Sequence, residues 1–143
     1  MDKQQDVLAI LKLYELRRDP EMRKARQWYL TEFSPESAMD IIGLLQAGER
    51  ASANFRMVGS YWDMASSLVL NGGIDEKLFL GANTEHIVVF AKIEPHINEI
   101  REIIKEPDYL IYLETLCKKM PDYEQKLASR KRLGETWKTA SRN

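Results

Sequence analysis

A single cysteine, Cys117, and two histidines, His86 and His96, are all the thiol and imidazole that the 143 residues contain. One cysteine excludes an intrachain disulfide and a cysteine-rich metal site. Two histidines exclude a three-histidine metal centre. Di-iron helical bundles need a carboxylate three residues before the histidine on one helix face, but those positions hold Asn83 and Ile93. His-Glu-x-x-His is absent too, and on one continuous helix the two histidines would sit about 15 Å apart. Each histidine is therefore expected at the surface or at a helix cap, and no cofactor is expected. Gly72-Gly73 lacks the spacing of a phosphate loop and reads as a helix stop. Long apolar runs are missing as well: residues 103–116 are broken by Lys105, Glu106, Pro107, Asp108 and Glu114. That falls short of the roughly 18–20 apolar residues that cross a bilayer. The polar, mixed-charge start over residues 1–6 has neither part of a signal peptide, so the expected location is the cytoplasm. No charge dominates: 21 Lys+Arg against 22 Asp+Glu leave a net charge of −1, and no global field draws nucleic acid or anionic lipid.

What is present is helical periodicity. With 44% hydrophobic and 30% charged residues the chain is not disordered, and its length suits one domain. Val7, Leu8, Leu11 and Tyr14 line one face of a first helix over about 3–17, and that face is expected to meet the core. Met22, Ala25, Tyr29 and Phe33, with Trp28 beside them, mark a second helix. Ala38, Ile41, Ile42 and Leu45 mark a third. Phe55, Val58, Trp62, Ala65 and Val69 predict a long fourth helix ending at the glycine pair, and Leu78-Phe79 a short fifth. Phe90, Ile93, Ile97, Ile100 and Ile104 form the cleanest stripe, in a sixth helix that Pro95 kinks or divides. Leu110, Leu113 and Met120 define a seventh; Tyr123, Leu127 and Trp137 an eighth. Asp19 and Ser34, each before a proline, read as N-caps, and Asn83-Thr84 as another. The expected fold is all-α: a compact bundle of about seven to eight helices, a single domain over 1–143.

Charge divides along the chain. Residues 118–143 carry eight Lys/Arg and three Asp/Glu, a net +5, while the preceding 117 residues carry a net −6. Arg130, Lys131 and Arg132 with Trp137 form a candidate interaction surface that could touch phosphates. Pairing of this basic segment with acidic groups of its own body is the simpler reading. The apolar positions over 121–138 are sparse, which predicts a helix that projects partly from the domain, with residues after 138 frayed. Among Arg17, Arg18, Arg23, Lys24 and Arg26 the interleaved Asp19 and Glu21 predict local ion pairs. Cys117 precedes two lysines, which favour a thiolate, yet it lies on the apolar face and reads as core.

The order of three segments is familiar: Leu16-Arg17-Arg18-Asp19-Pro20-Glu21-Met22-Arg23-Lys24-Ala25-Arg26, then Asn54-Phe55 through Gly72-Gly73-Ile74-Asp75, then Ile93-Glu94-Pro95-His96-Ile97 with Arg101 and Tyr109 to Leu116. It resembles an uncharacterised bacterial family of small helical domains, some of them set behind a membrane helix that this sequence lacks. The resemblance implies an all-helical fold and brings no activity, cofactor or catalytic residue. The functional expectation is a non-enzymatic interaction domain, self-associating or meeting another protein, that presents Trp28, Trp62 or the C-terminal segment. Its alternatives are a small-molecule-binding or enzymatic bundle with a cavity lined by Trp28, Tyr61 and Trp62, and nucleic-acid binding through the basic run.

Overall fold

The computed structural model describes residues 2–142, with side chains through Lys138. Helix α1 spans Lys3–Arg17, α2 Pro20–Thr31, α3 Ala38–Ala47, α4 Arg50–Leu70 and α5 Glu76–Ala82. Then follow α6 at Glu85–Ile93, a 3-10 turn at Glu94–His96, α7 at Ile97–Ile104, α8 at Ile111–Lys118 and α9 at Tyr123–Arg142. No strand occurs among the described residues, so the all-α expectation holds. The stripe expected as one sixth helix is two helices: Pro95 cannot donate an amide, and the chain tightens through the 3-10 turn there. No helix among the described residues is long and apolar enough to cross a membrane.

Local chemistry sets the helix limits. The Asp19 carboxylate accepts from the amides of Glu21 and Met22, and Pro20 takes the first turn, where no amide donor is missed. Gly72 adopts a left-handed φ of 83° just past the end of α4. Helix α3 departs from expectation. Ser37, not Ser34, caps it by accepting from the Asp40 amide, and Asp40 in return accepts from the Glu36 amide. Ser34 and Pro35 belong to the preceding loop.

Helix α4 runs through the centre, with Phe55, Val58, Trp62, Ala65 and Val69 buried against α2, α3 and α8. Two helices sit differently from expectation. The α1 face expected to meet the core is exposed instead: Val7 44%, Leu8 66%, Leu11 56% and Tyr14 46%. Polar anchors hold it in that rotation. The Asp6 carboxylate, itself buried, accepts from the Asp75 amide at 3.3 Å, and the Tyr61 hydroxyl donates to the Leu13 carbonyl. Helix α9, expected to project, lies along α6 and α2 as far as its side chains are described. Leu127 joins the core, and Gly134 lies buried against the Lys92 stem. Lys138 reaches the Ser34 hydroxyl at 3.0 Å. The fraying expected after residue 138 concerns side chains outside those described.

Candidate functional site

The ends of α1 and α5 meet the start of α6 around Glu85, the first residue of α6, where a carboxylate is favoured by the helix dipole. Arg26 of α2 grips it in a fork, Nη2 donating at 2.7 Å and Nε at 2.9 Å. The Trp62 indole nitrogen donates to the same carboxylate at 3.0 Å. Arg26 also donates to the Arg17 carbonyl, which ties the end of α1 to α2. The carboxylate of Glu85 raises the Arg26 pKa, against the opposing effect of burial. The Arg17 guanidinium lies over the rings of Tyr14, at 5.0 Å, and Trp62, at 5.5 Å, and meets no carboxylate among the described residues. Arg26 thus pairs with a residue 59 positions away rather than with its local neighbours. Glu21, the local candidate, instead meets Lys24 at 3.7 Å and Arg50 of α4.

A cavity of about 280 Å³ opens beside this pair. Arg17, Arg26 and Glu85 form one wall, Asn83 and Thr84 the α5–α6 corner, and Val88, Arg130, Leu133 and Trp137 the side toward α9. Arg130 keeps its Nε buried and without a hydrogen-bond partner. A second cavity of about 230 Å³ lies further along α9, lined by Lys92, His96, Lys131 and Lys138 among others, with Arg130 common to both. Its lysines are engaged. Lys92 donates to the carbonyls of Tyr29, Leu30 and Phe33, capping the end of α2, and Lys131 faces Glu94 at 3.8 Å.

The structure therefore brings Arg130 and Trp137 to one cavity, sets Lys131 on the neighbouring one, and leaves Arg132 exposed. Trp28, Tyr61 and Trp62 do not enclose a space together. Trp62 is fully buried, and Trp28 packs on Phe33 with ring centres 5.2 Å apart. Tyr61 borders an open groove with Leu16, Met57 and Met64. Trp62 is thus not available for presentation to a partner, while Trp28 keeps part of its surface exposed. Cys117 is buried, and burial pushes its thiol pKa up to about 12, away from thiolate chemistry.

His86 corrects an expectation most sharply. It is not at the surface but fully buried, with ring centres 5.5 Å from Phe79 and 5.9 Å from Trp62, and neither nitrogen has a partner. Burial, then the nearby Arg130 charge, lowers its pKa to about 4, so the ring is neutral at pH 7. A signal for this existed: His86 stands four residues before Phe90 and extends the sixth stripe by one turn. Among the described residues no three His, Cys, Asp or Glu side chains are grouped to hold a metal ion.

Helix packing and site together define a small all-helical domain with a cationic cleft at a helix junction. The chain belongs to the family described as a domain of unknown function, DUF4760, whose model matches residues 4–120. The matched span ends before α9, which supplies Arg130 and Trp137 to the cleft. No curated protein and no solved structure matches the chain.

Proposed function

We propose that this is a non-enzymatic interaction domain that self-associates through the exposed face of α1. The observation that carries the reading is the apolar face of Val7, Leu8, Leu11 and Tyr14, which is rotated away from the core by the Asp6 and Leu13 anchors. A two-fold pair brings the same patch of each copy together, so an apolar face supplies its own complement. Full burial of a leucine side chain is worth about 1.5–3 kcal/mol, and Leu8 and Leu11 are each more than half exposed. Four such leucines in a pair, with Val7 and Tyr14, gain several kcal/mol, comparable to the roughly 4–15 kcal/mol that association costs. Weak, concentration-dependent pairing follows.

Sedimentation velocity over a concentration series tests this. The wild-type chain is expected to shift toward a dimer as concentration rises, and the double substitution Leu8→Glu, Leu11→Glu to stay monomeric with unchanged helical circular dichroism. A wild-type chain that remains monomeric at its highest soluble concentration removes the self-association.

A further inference from the structure

We propose that the cleft between α6 and α9 is a binding site for a small phosphate monoester carrying a planar body. The charge count of its wall is the starting point. Arg26 and Glu85 neutralise each other through their forked hydrogen bonds. Arg17 and Arg130 have no carboxylate partner among the described residues, and both are half-buried. The cleft thus holds a surplus of two positive charges in partly desolvated surroundings, where uncompensated charge is costly. A phosphate monoester carries about two negative charges near pH 7 and offers three oxygens to guanidinium forks.

The opposite wall sets the rest of the ligand. Leu133 and Trp137 give it an apolar, aromatic surface, and the volume of about 280 Å³ lies just under the roughly 300 Å³ at which small-ligand sites begin. A flat ring attached to the phosphate would lie against the Trp137 indole while the phosphate meets Arg17 and Arg130. The neighbouring cavity shares Arg130 but is lined by neither Arg17 nor Trp137, and its lysines are spent: Lys92 on three carbonyls, Lys131 on Glu94 and Lys138 on Ser34. The site goes beyond self-association, since α1 contributes to it only through Arg17 at its last turn.

Isothermal titration calorimetry on the full chain at low salt tests the proposal, with adenosine 5′-monophosphate, adenosine and inorganic phosphate as probes. The monophosphate is expected to bind at least tenfold more tightly than inorganic phosphate, and adenosine at least tenfold more weakly than the monophosphate. Arg130→Gln and Arg17→Gln are expected to weaken the monophosphate tenfold or more, with Arg130→Lys recovering part of the loss. Trp137→Leu is expected to bring the monophosphate down to the affinity of inorganic phosphate, while Trp137→Phe retains most of the difference. Arg132→Gln, on the same helix but exposed, is expected to change nothing. Thermal melts of each variant separate lost binding from lost folding. Equal losses from Arg132→Gln and Arg130→Gln, or no binding of the monophosphate above that of adenosine, overturn the site. Equal affinities for the monophosphate and inorganic phosphate overturn the role of Trp137.

Discussion

Replacing His86 by leucine is expected to stabilise the domain, and to do so more in acid than at neutral pH. The imidazole is fully buried between Trp62 and Phe79 with both nitrogens unpaired, so the native state loses its hydration without return. An unsatisfied buried polar group costs about 1–3 kcal/mol, and leucine of similar volume removes that cost without breaking a hydrogen bond. The pH dependence has a definite sign. The folded pKa of about 4 lies below the ordinary 6.5, so between those values the unfolded chain binds more protons and stability falls as pH falls. The wild-type chain loses about 2 kcal/mol from this source by pH 5 and about 3 kcal/mol by pH 4. The charged groups near His86 do not offset this: Glu85, beside it on α6, is held by Arg26 and Trp62, and Arg130 on α9 opposes a second positive charge. Urea denaturation of both chains at pH 7.5 and pH 5.0 is the assay, above the range where carboxylates protonate. The stability difference is expected to grow by about 2 kcal/mol between the two pH values. A constant difference would refute the reasoning, since it would mean that His86 titrates alike in folded and unfolded chains.

Lys105 ends α7 with φ 59°, exposed, and Lys105→Gly is expected to add about 1 kcal/mol of stability in the same denaturation assay by relieving the left-handed conformation. Lys92→Met is expected to cost about 2–3 kcal/mol, because the carbonyls of Tyr29, Leu30 and Phe33 at the end of α2 lose their donor. Asp63 accepts from the Leu113 amide at the start of α8, and burial raises its pKa, so its charge is a cost at neutral pH. Asp63→Asn keeps the acceptor and is expected to leave the melting temperature equal or higher, whereas Asp63→Ala loses the cap at about 1 kcal/mol.

The helix limits were legible because they rest on neighbours in sequence. Asp19-Pro20 opens α2, the glycine pair closes α4, and Pro95 divides the sixth stripe. Helix orientation was less so. Apolar spacing groups Val7, Leu8, Leu11 and Tyr14 on one face of α1, but the helix is only weakly amphipathic, and Asp6 and Leu13 are fixed by partners in the α4–α5 turn and in α4. Docking of α9 brings Leu127 into the core and sets Gly134 against the Lys92 stem of α6, which sparse apolar spacing does not register. Arg130 and Trp137 were visible as a basic, aromatic pair, yet Arg17, Arg26 and Glu85 come from three other helices, and only folding sets them around one space. The partner of Arg26 lies too far along the chain for charge patterning to find.

Distance between two α1 helices tests self-association most directly. Cys117 is buried, so Gln5→Cys on the exposed side of α1 offers a single site for a spin label. Packed helices lie about 8–10 Å apart and α1 is about 22 Å long, so pairing places the two labels within roughly 35 Å whichever way the helices run. Double electron–electron resonance at a concentration where sedimentation shows dimer is expected to give a distance in that range, lost on adding Leu8→Glu and Leu11→Glu. A dimer without such a distance, or with one that survives both glutamates, would place the interface elsewhere on the molecule.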